Sequence, residues 1–142
     1  MTFLLDTSVV SEWVKPRPDP GVIAWLTSAD EDSVFISVVT IGELRYGIER
    51  LASGRRRDRL DEWLRHDLPV RFEGRVLSVD AAVAQAWGTI VTRRDRAGQP
   101  IGVMDAFIAA TAAVHDLTVV TRNAGDFRSV VASVLDPWTD EK

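Results

Sequence analysis

Asp6, Glu43, Asp105 and Asp126 are carboxylates set in sequence too apolar for surface acids. Asp6 directly follows the run Phe3-Leu4-Leu5, and Glu43 lies in VVTIGELRYG. Asp105 lies in GVMDAFIAATAA and Asp126 in VVTRNAGDF. A lone buried carboxylate costs several kcal/mol or takes up a proton, and four that converge also repel one another. A divalent cation resolves both problems. The chain has no cysteine and only two histidines, His66 and His115, so the donors would all be oxygen. Such a set selects a hard ion, Mg²⁺ or Mn²⁺. Mg²⁺ keeps waters and shares its shell with phosphate oxygens, so the expected chemistry is phosphoryl transfer or phosphodiester hydrolysis. Each acid also has a plain structural reading. Asp6 can cap a helix, and Thr40-Ile41-Gly42-Glu43 matches a capping box. Asp105 can favour a helix dipole, and Asp126 can close an Asx turn.

The elements that must position these groups alternate between strand and helix. The runs 3–5, 34–36, 76–79 and 118–121 are short, β-branched or aromatic, and bounded by turn residues. A weaker fifth strand is expected at 131–135. Helices are expected at 7–14, 20–28, 38–51, 57–68, after Asp80, and at 104–115, with a Ser53-Gly54 break between the third and fourth. The alternation predicts βα crossovers and a mostly parallel sheet covered on both faces. In such sheets ligands sit beyond the carboxyl ends of the strands, where strand order reverses.

Composition narrows the class. The 142 residues suit one domain, 1–142, with a core that needs no disulfide. The N-terminal MTFLLDTSVV lacks a basic leader, and Asp6 interrupts it, so neither a signal peptide nor a membrane span is expected and a cytoplasmic protein is the default. A net charge of −4 argues against bulk electrostatic capture of nucleic acid, although Arg55, Arg56, Arg57 and Arg59 form one basic cluster and Arg93, Arg94 and Arg96 another. Either cluster is equally readable as a solvated helix end. Trp13, Trp25, Trp63, Trp87 and Trp138 are expected to pack in the core or an interface rather than stack on bases. Gly42 and Gly47 flank Glu43 inside a helix at about 1 kcal/mol each, which points to a close approach there or to tight helix packing.

Four segments together, LLDTSVVSE (4–12), ISVVTIGELRYGI (36–48), MDAFIAATA (104–112) and VVTRNAGDF (119–127), resemble the signature segments of PIN-domain ribonucleases. The resemblance is nearest to VapC-type toxins of bacterial toxin–antitoxin pairs, including the Fit-like branch, which the terminal LDPW (135–138) also resembles. It implies a three-layer α/β/α fold with a five-stranded, mostly parallel sheet. It further implies a Mg²⁺-dependent endoribonuclease, a homodimer, and a cognate antitoxin that blocks the site and supplies DNA binding, so that DNA is met only indirectly. By motif position Asp6 and Asp105 would be the principal metal ligands, and Glu43 and Asp126 would complete the pocket directly or through water. Thr121 matches a hydroxyl residue suited to orienting a water or phosphate, and Ser8 is suited to the same task. Asn123 stands where some relatives carry another acid, which bears on a second metal position.

With no well-placed histidine, attack by water activated on the cation is expected, giving 5′-phosphate and 3′-hydroxyl products. Rival readings fit less well. A phosphatase of the aspartyl-phosphate type wants an acid where Ser8 stands, and a phospho-receiver wants an acid pair and a late lysine. A metal-dependent adhesion loop would need serine at position 10, which is valine. A catalytically weak PIN fold kept as a binding partner is the remaining alternative, and the presence of all four acids argues against it.

Overall fold

In the computed structural model, residues 1–138 are described, so the last four residues of the expected 1–142 domain lie outside them. Strand β1, Phe3–Leu5, is central: it pairs in parallel with β2, Val34–Ser37, on one side and with β4, Thr118–Val120, on the other. Strands β3, Val76–Leu77, and β5, Val134–Leu135, extend the sheet outward, giving the order β3-β2-β1-β4-β5 with every pairing parallel. The two outer strands, at the edges of the sheet, are shorter than the runs 76–79 and 131–135.

Alternate strand residues face opposite layers. Leu5, Ile36 and Val120 enter one core; Leu4, Phe35 and Val119 enter the other. The first layer is built by helix α1 (Thr7–Val10), its 3₁₀ extension Ser11–Val14, α2 (Pro20–Ser28), α3 (Val38–Glu49), α4 (Arg55–Glu62) and α5 (Leu68–Arg71). The second is built chiefly by α6 (Ala81–Arg96) and α7 (Val103–His115), joined by the short α8 (Ala124–Phe127). The fold is the expected α/β/α sandwich. Among the described residues no helix is long and apolar enough to cross a membrane.

The fourth helix corrects the sequence expectation. Pro69 should have ended it at residue 68, because proline lacks an N–H and its ring clashes with the carbonyl four residues back. Instead Trp63–Asp67 widens into a π turn, with the Leu68 N–H bonded to the Trp63 carbonyl, and the helical path continues through α5. Leu64, Leu68 and Phe72 stay buried as a result, at 6%, 2% and 1% exposure.

Two glycines behave differently from one another. At Gly21 an added Cβ would lie 2.8 Å from the Pro137 carbonyl oxygen, so the approach of the C-terminal segment to α2 requires glycine. At Gly47, in the body of α3, a Cβ would meet nothing within 4 Å. Tight packing within the chain therefore does not explain Gly47. Gly47→Ala is expected to stabilise the protein by about 0.5–1 kcal/mol through helix propensity, raising Tm by about 2–4 °C in a calorimetric melt. An unchanged or lower Tm would mean that the glycine is needed by the fold.

Candidate metal centre

Strand order reverses at β1, since the chain runs from β1 outward to β2 and β3 and then returns to place β4 on its other side. The crevice beyond the carboxyl ends of β1 and β4 is therefore where a ligand is expected. Asp6 and Thr121 stand there, each the first residue after its strand. Asp6 is 4% exposed and continues the ladder, its N–H bonding the Val120 carbonyl at 2.9 Å.

The Asp6 carboxylate is held by three donors. Its Oδ1 accepts from the Thr7 N–H at 2.8 Å, which also caps α1. Its Oδ2 accepts from Thr121 Oγ1 at 2.7 Å and from Ser8 Oγ at 3.1 Å. Thr121 Oγ1 in turn accepts from the Asn123 N–H at 3.0 Å, and Ser8 Oγ accepts from the Arg122 N–H at 3.3 Å. Two hydroxyls thus fasten the loop after β4 to the first carboxylate. The capping role of Asp6 and a role at the crevice use the same geometry.

Glu43 is not part of a capping box. Helix α3 begins at Val38, with Ser37 as its cap accepting from the Val39 N–H at 3.0 Å, so Thr40 and Glu43 lie inside the helix. The Glu43 carboxylate reaches across to α1, where Thr7 Oγ1 donates to its Oε1 at 2.5 Å; Thr40 Oγ1 lies 3.1 Å from the same hydroxyl. Asp105 occupies the first turn of α7, whose cap, Gly102, offers no side chain. Asp126 is exposed in the first turn of α8, and its backbone N–H bonds the Asn123 carbonyl at 3.0 Å. Asn123 itself is exposed.

Electrostatics ties the four acids together. The Asp105 carboxyl is pushed up to about 6, first by burial and then by the negative charges of Asp6, Glu43 and Asp126. Unlike Asp6, it accepts no hydrogen bond from any described residue that would offset this. Yet among the described residues no three acidic or histidine side chains close into a ready-made cage. The donor set nevertheless fits Mg²⁺, which takes one or two carboxylates and completes its octahedron with water and phosphate.

Three contributors escaped the sequence reading. Thr7 couples Asp6 to Glu43, a pairing that only the packing of α1 on α3 creates. Glu12 is 2% exposed. Burial would raise its pKa, but Lys15 Nζ at 2.5 Å, the Asp19 N–H at 2.8 Å and the charges of Lys15 and Arg122 outweigh burial and hold it below the usual carboxylate range. A glutamate within an apolar stretch and a lysine three residues on was the available signal. Arg94, read only as part of a basic cluster, donates to the Asp126 backbone carbonyl at 2.8 Å and to the Gln99 carbonyl at 2.5 Å, fixing α8 against the end of α6.

Beside the carboxylates an apolar cavity of about 760 Å³ opens between α3 and α7, walled by Val38, Gly42, Tyr46, Met104 and Phe107. Tyr46 is 64% exposed and Met104 45%, high for side chains of their size.

A family model described as PIN domain matches residues 3–132. The chain is 39% identical to the toxin FitB of Neisseria gonorrhoeae over 137 residues, which is 96% of this chain and 99% of that protein. It is 32% identical over 135 residues to a VapC ribonuclease of Sinorhizobium fredii, covering 95% and 96% of the two chains. Among solved structures, a chain of FitAB bound to a DNA fragment superposes with a TM-score of 0.92 at 36% identity, over 99% of both chains.

Proposed function

The chain belongs to the PIN-domain family, and from that premise we propose that it is a Mg²⁺-dependent endoribonuclease, the toxin of a VapC-type toxin–antitoxin pair. The observation that carries this reading is the buried Asp6 carboxylate, fixed by Thr7, Ser8 and Thr121 at the strand-order reversal, in keeping with a half-buried Asp105 whose carboxyl is raised by burial and by the charges of Asp6, Glu43 and Asp126. Asp6 and Asp105 hold the ion; Glu43 and Asp126 complete the pocket directly or through water. Bound Mg²⁺ supplies charge neutralisation at the scissile phosphate and acidifies a water in its shell, and Mn²⁺ can replace it.

The protein's own part is orientation. Thr121 and Ser8 occupy Oδ2 and keep the Asp6 carboxylate from rotating, and with Thr7 on Oδ1 one lone pair of Oδ1 is left for a cation. Thr7 fixes Glu43, which is then placed to accept a proton from the attacking water. Arg94 holds the turn that carries Asp126. Asn123, neutral and exposed, weakens any second cation position beside it.

Neither histidine can activate a ribose 2′-hydroxyl here. His66 lies on the π turn against Glu62, and His115 ends α7, about 15 Å along the helix from Asp105. Cleavage is therefore expected to leave 5′-phosphate and 3′-hydroxyl ends, to stop with EDTA and to return with Mg²⁺ or Mn²⁺. End-labelling of the products checks this, and 2′,3′-cyclic phosphate ends would overturn the mechanism.

The toxin acts in the cytoplasm, and an antitoxin covers the site and brings the pair to DNA. Among the similar structures, FitAB bound to a DNA fragment and DNA-bound VapBC of Salmonella typhimurium support the association with an antitoxin and, through it, with DNA. The exposed apolar wall of Val38, Tyr46, Val103 and Met104 suits a second copy of the chain, making a homodimer.

A further inference from the structure

A second hollow starts at the same carboxylate centre and leads away from it. Thr7 and Glu43 line one end of a groove of about 240 Å³ between α1 and α3, and Arg56, Leu60 and Trp63 line its other end. A smaller hollow of about 150 Å³ shares Arg56, Leu60 and Trp63 and adds Arg59. Glu43, Gly47 and Leu51 follow one another at four-residue steps along one wall, so that wall runs about 12 Å.

Two features of this groove have no use within the chain. Gly47 weakens α3 although a Cβ there would touch nothing. Arg56 and Arg59 are exposed and pair with no carboxylate among the described residues, whereas Arg57 beside them is bound to Glu49 at 2.9 Å. Resting on the ribonuclease reading, we infer that this groove is the path of the RNA strand away from the scissile phosphate, with Arg56 and Arg59 binding its backbone phosphates. The occupant is chosen by charge and continuity. A polyanion cut at the carboxylates must be carried past four negative charges; Lys15 on the groove wall is already paired with Glu12 at 2.5 Å, whereas Arg56 on the same wall and Arg59 on the adjoining hollow are not neutralised by any described carboxylate. Open backbone at Gly47 leaves room for the strand beside α3.

Arg93 and Arg96 provide an internal control. They too are exposed and free of carboxylate partners among the described residues, but they line a shallow hollow on α6, in the layer across the sheet. Removing either pair changes net charge by the same amount.

The test measures binding of a fluorescent single-stranded RNA to protein carrying Asp105→Asn, in Mg²⁺, across a salt series. Arg56→Ala with Arg59→Ala is expected to raise Kd about tenfold or more at low salt and to reduce the slope of log K against log salt by about 1.4, roughly 0.7 for each phosphate no longer neutralised. Arg56→Lys with Arg59→Lys should keep the slope. Arg93→Ala with Arg96→Ala should change neither quantity. An unchanged slope in the Arg56/Arg59 variant, or an equal change in both pairs, overturns the proposal. So does weakened binding of a poly-glutamate peptide with RNA binding intact, which would assign the groove to an acidic protein partner. Cleavage by the chain with Asp105 present is scored separately. If it fails while the slope difference persists, the nuclease reading falls and the RNA track stands; if it succeeds with no slope difference, the track alone falls.

Discussion

Asp105→Asn and Asp6→Asn are each expected to lower kcat/KM for RNA cleavage by on the order of 10³-fold or more, with the fold retained. Each change removes one negative charge from a donor set with no histidine or cysteine to compensate. The two variants should differ in how they fail. Asp6 accepts from three donors, and asparagine cannot accept from all of them, so Asp6→Asn also disturbs the hydrogen bonds from Thr121 and Ser8. Asp105 makes no such bonds among the described residues, so Asp105→Asn is the cleaner lesion. Asp126, exposed at the rim, should matter less, with a loss of about tenfold on substitution by asparagine. Cleavage of a fluorophore-labelled RNA at matched purity and matched circular dichroism checks all three. Full activity in either Asp6→Asn or Asp105→Asn would refute the assignment.

The second large effect is on stability, and its direction is opposite to that of most active-site changes. In the folded chain the Asp105 carboxyl is raised from 3.8 to about 6, so the folded state holds this proton more tightly than the unfolded state does. Stability from this group is therefore complete below about pH 4 and is lost as pH rises through about 6. A shift of that size corresponds to at most about 3 kcal/mol, and partial solvent access reduces it to roughly 1–2 kcal/mol. In EDTA at pH 7.5, Asp105→Asn should thus melt about 3–6 °C above the parent. The difference should shrink towards zero as pH falls from 6 to 4. Mg²⁺ should restore the parent's melting temperature and leave the variant almost unmoved, because the ion removes the same repulsion. Thermal melts at pH 4, 5, 6 and 7.5, with and without Mg²⁺, check the sign. A variant less stable than the parent at pH 7.5 in EDTA would mean that Asp105 is not in a repulsive field.

The legible part of the chain was local. Phe3–Leu5, Val34–Ser37 and Thr118–Val120 announce themselves because a strand buried on both faces reads as a nearly continuous apolar run. Pro20–Ser28 does so because Asp19 caps it and proline suits its first turn. The four carboxylates were legible together, since each alone has a structural reading but four acids set in apolar sequence point to a shared site.

What the chain does not carry locally is which of these groups meet. The sequence by itself determined the strands, the acids that follow them and the oxygen-only chemistry they permit. Tertiary structure decided the order β3-β2-β1-β4-β5, which places Thr121 against Asp6 across 115 positions of chain. It moved Glu43 from a capping box to a hydrogen bond with Thr7, carried a helix past Pro69 through a π turn, and made Arg94 a brace for Asp126. The physical reason is common to all of these. Propensity and burial act on neighbours in sequence, whereas a side chain's partner is set by which helix packs beside it once the sheet has closed. The four carboxylates were visible one by one; their shared field at Asp105 exists only in the fold.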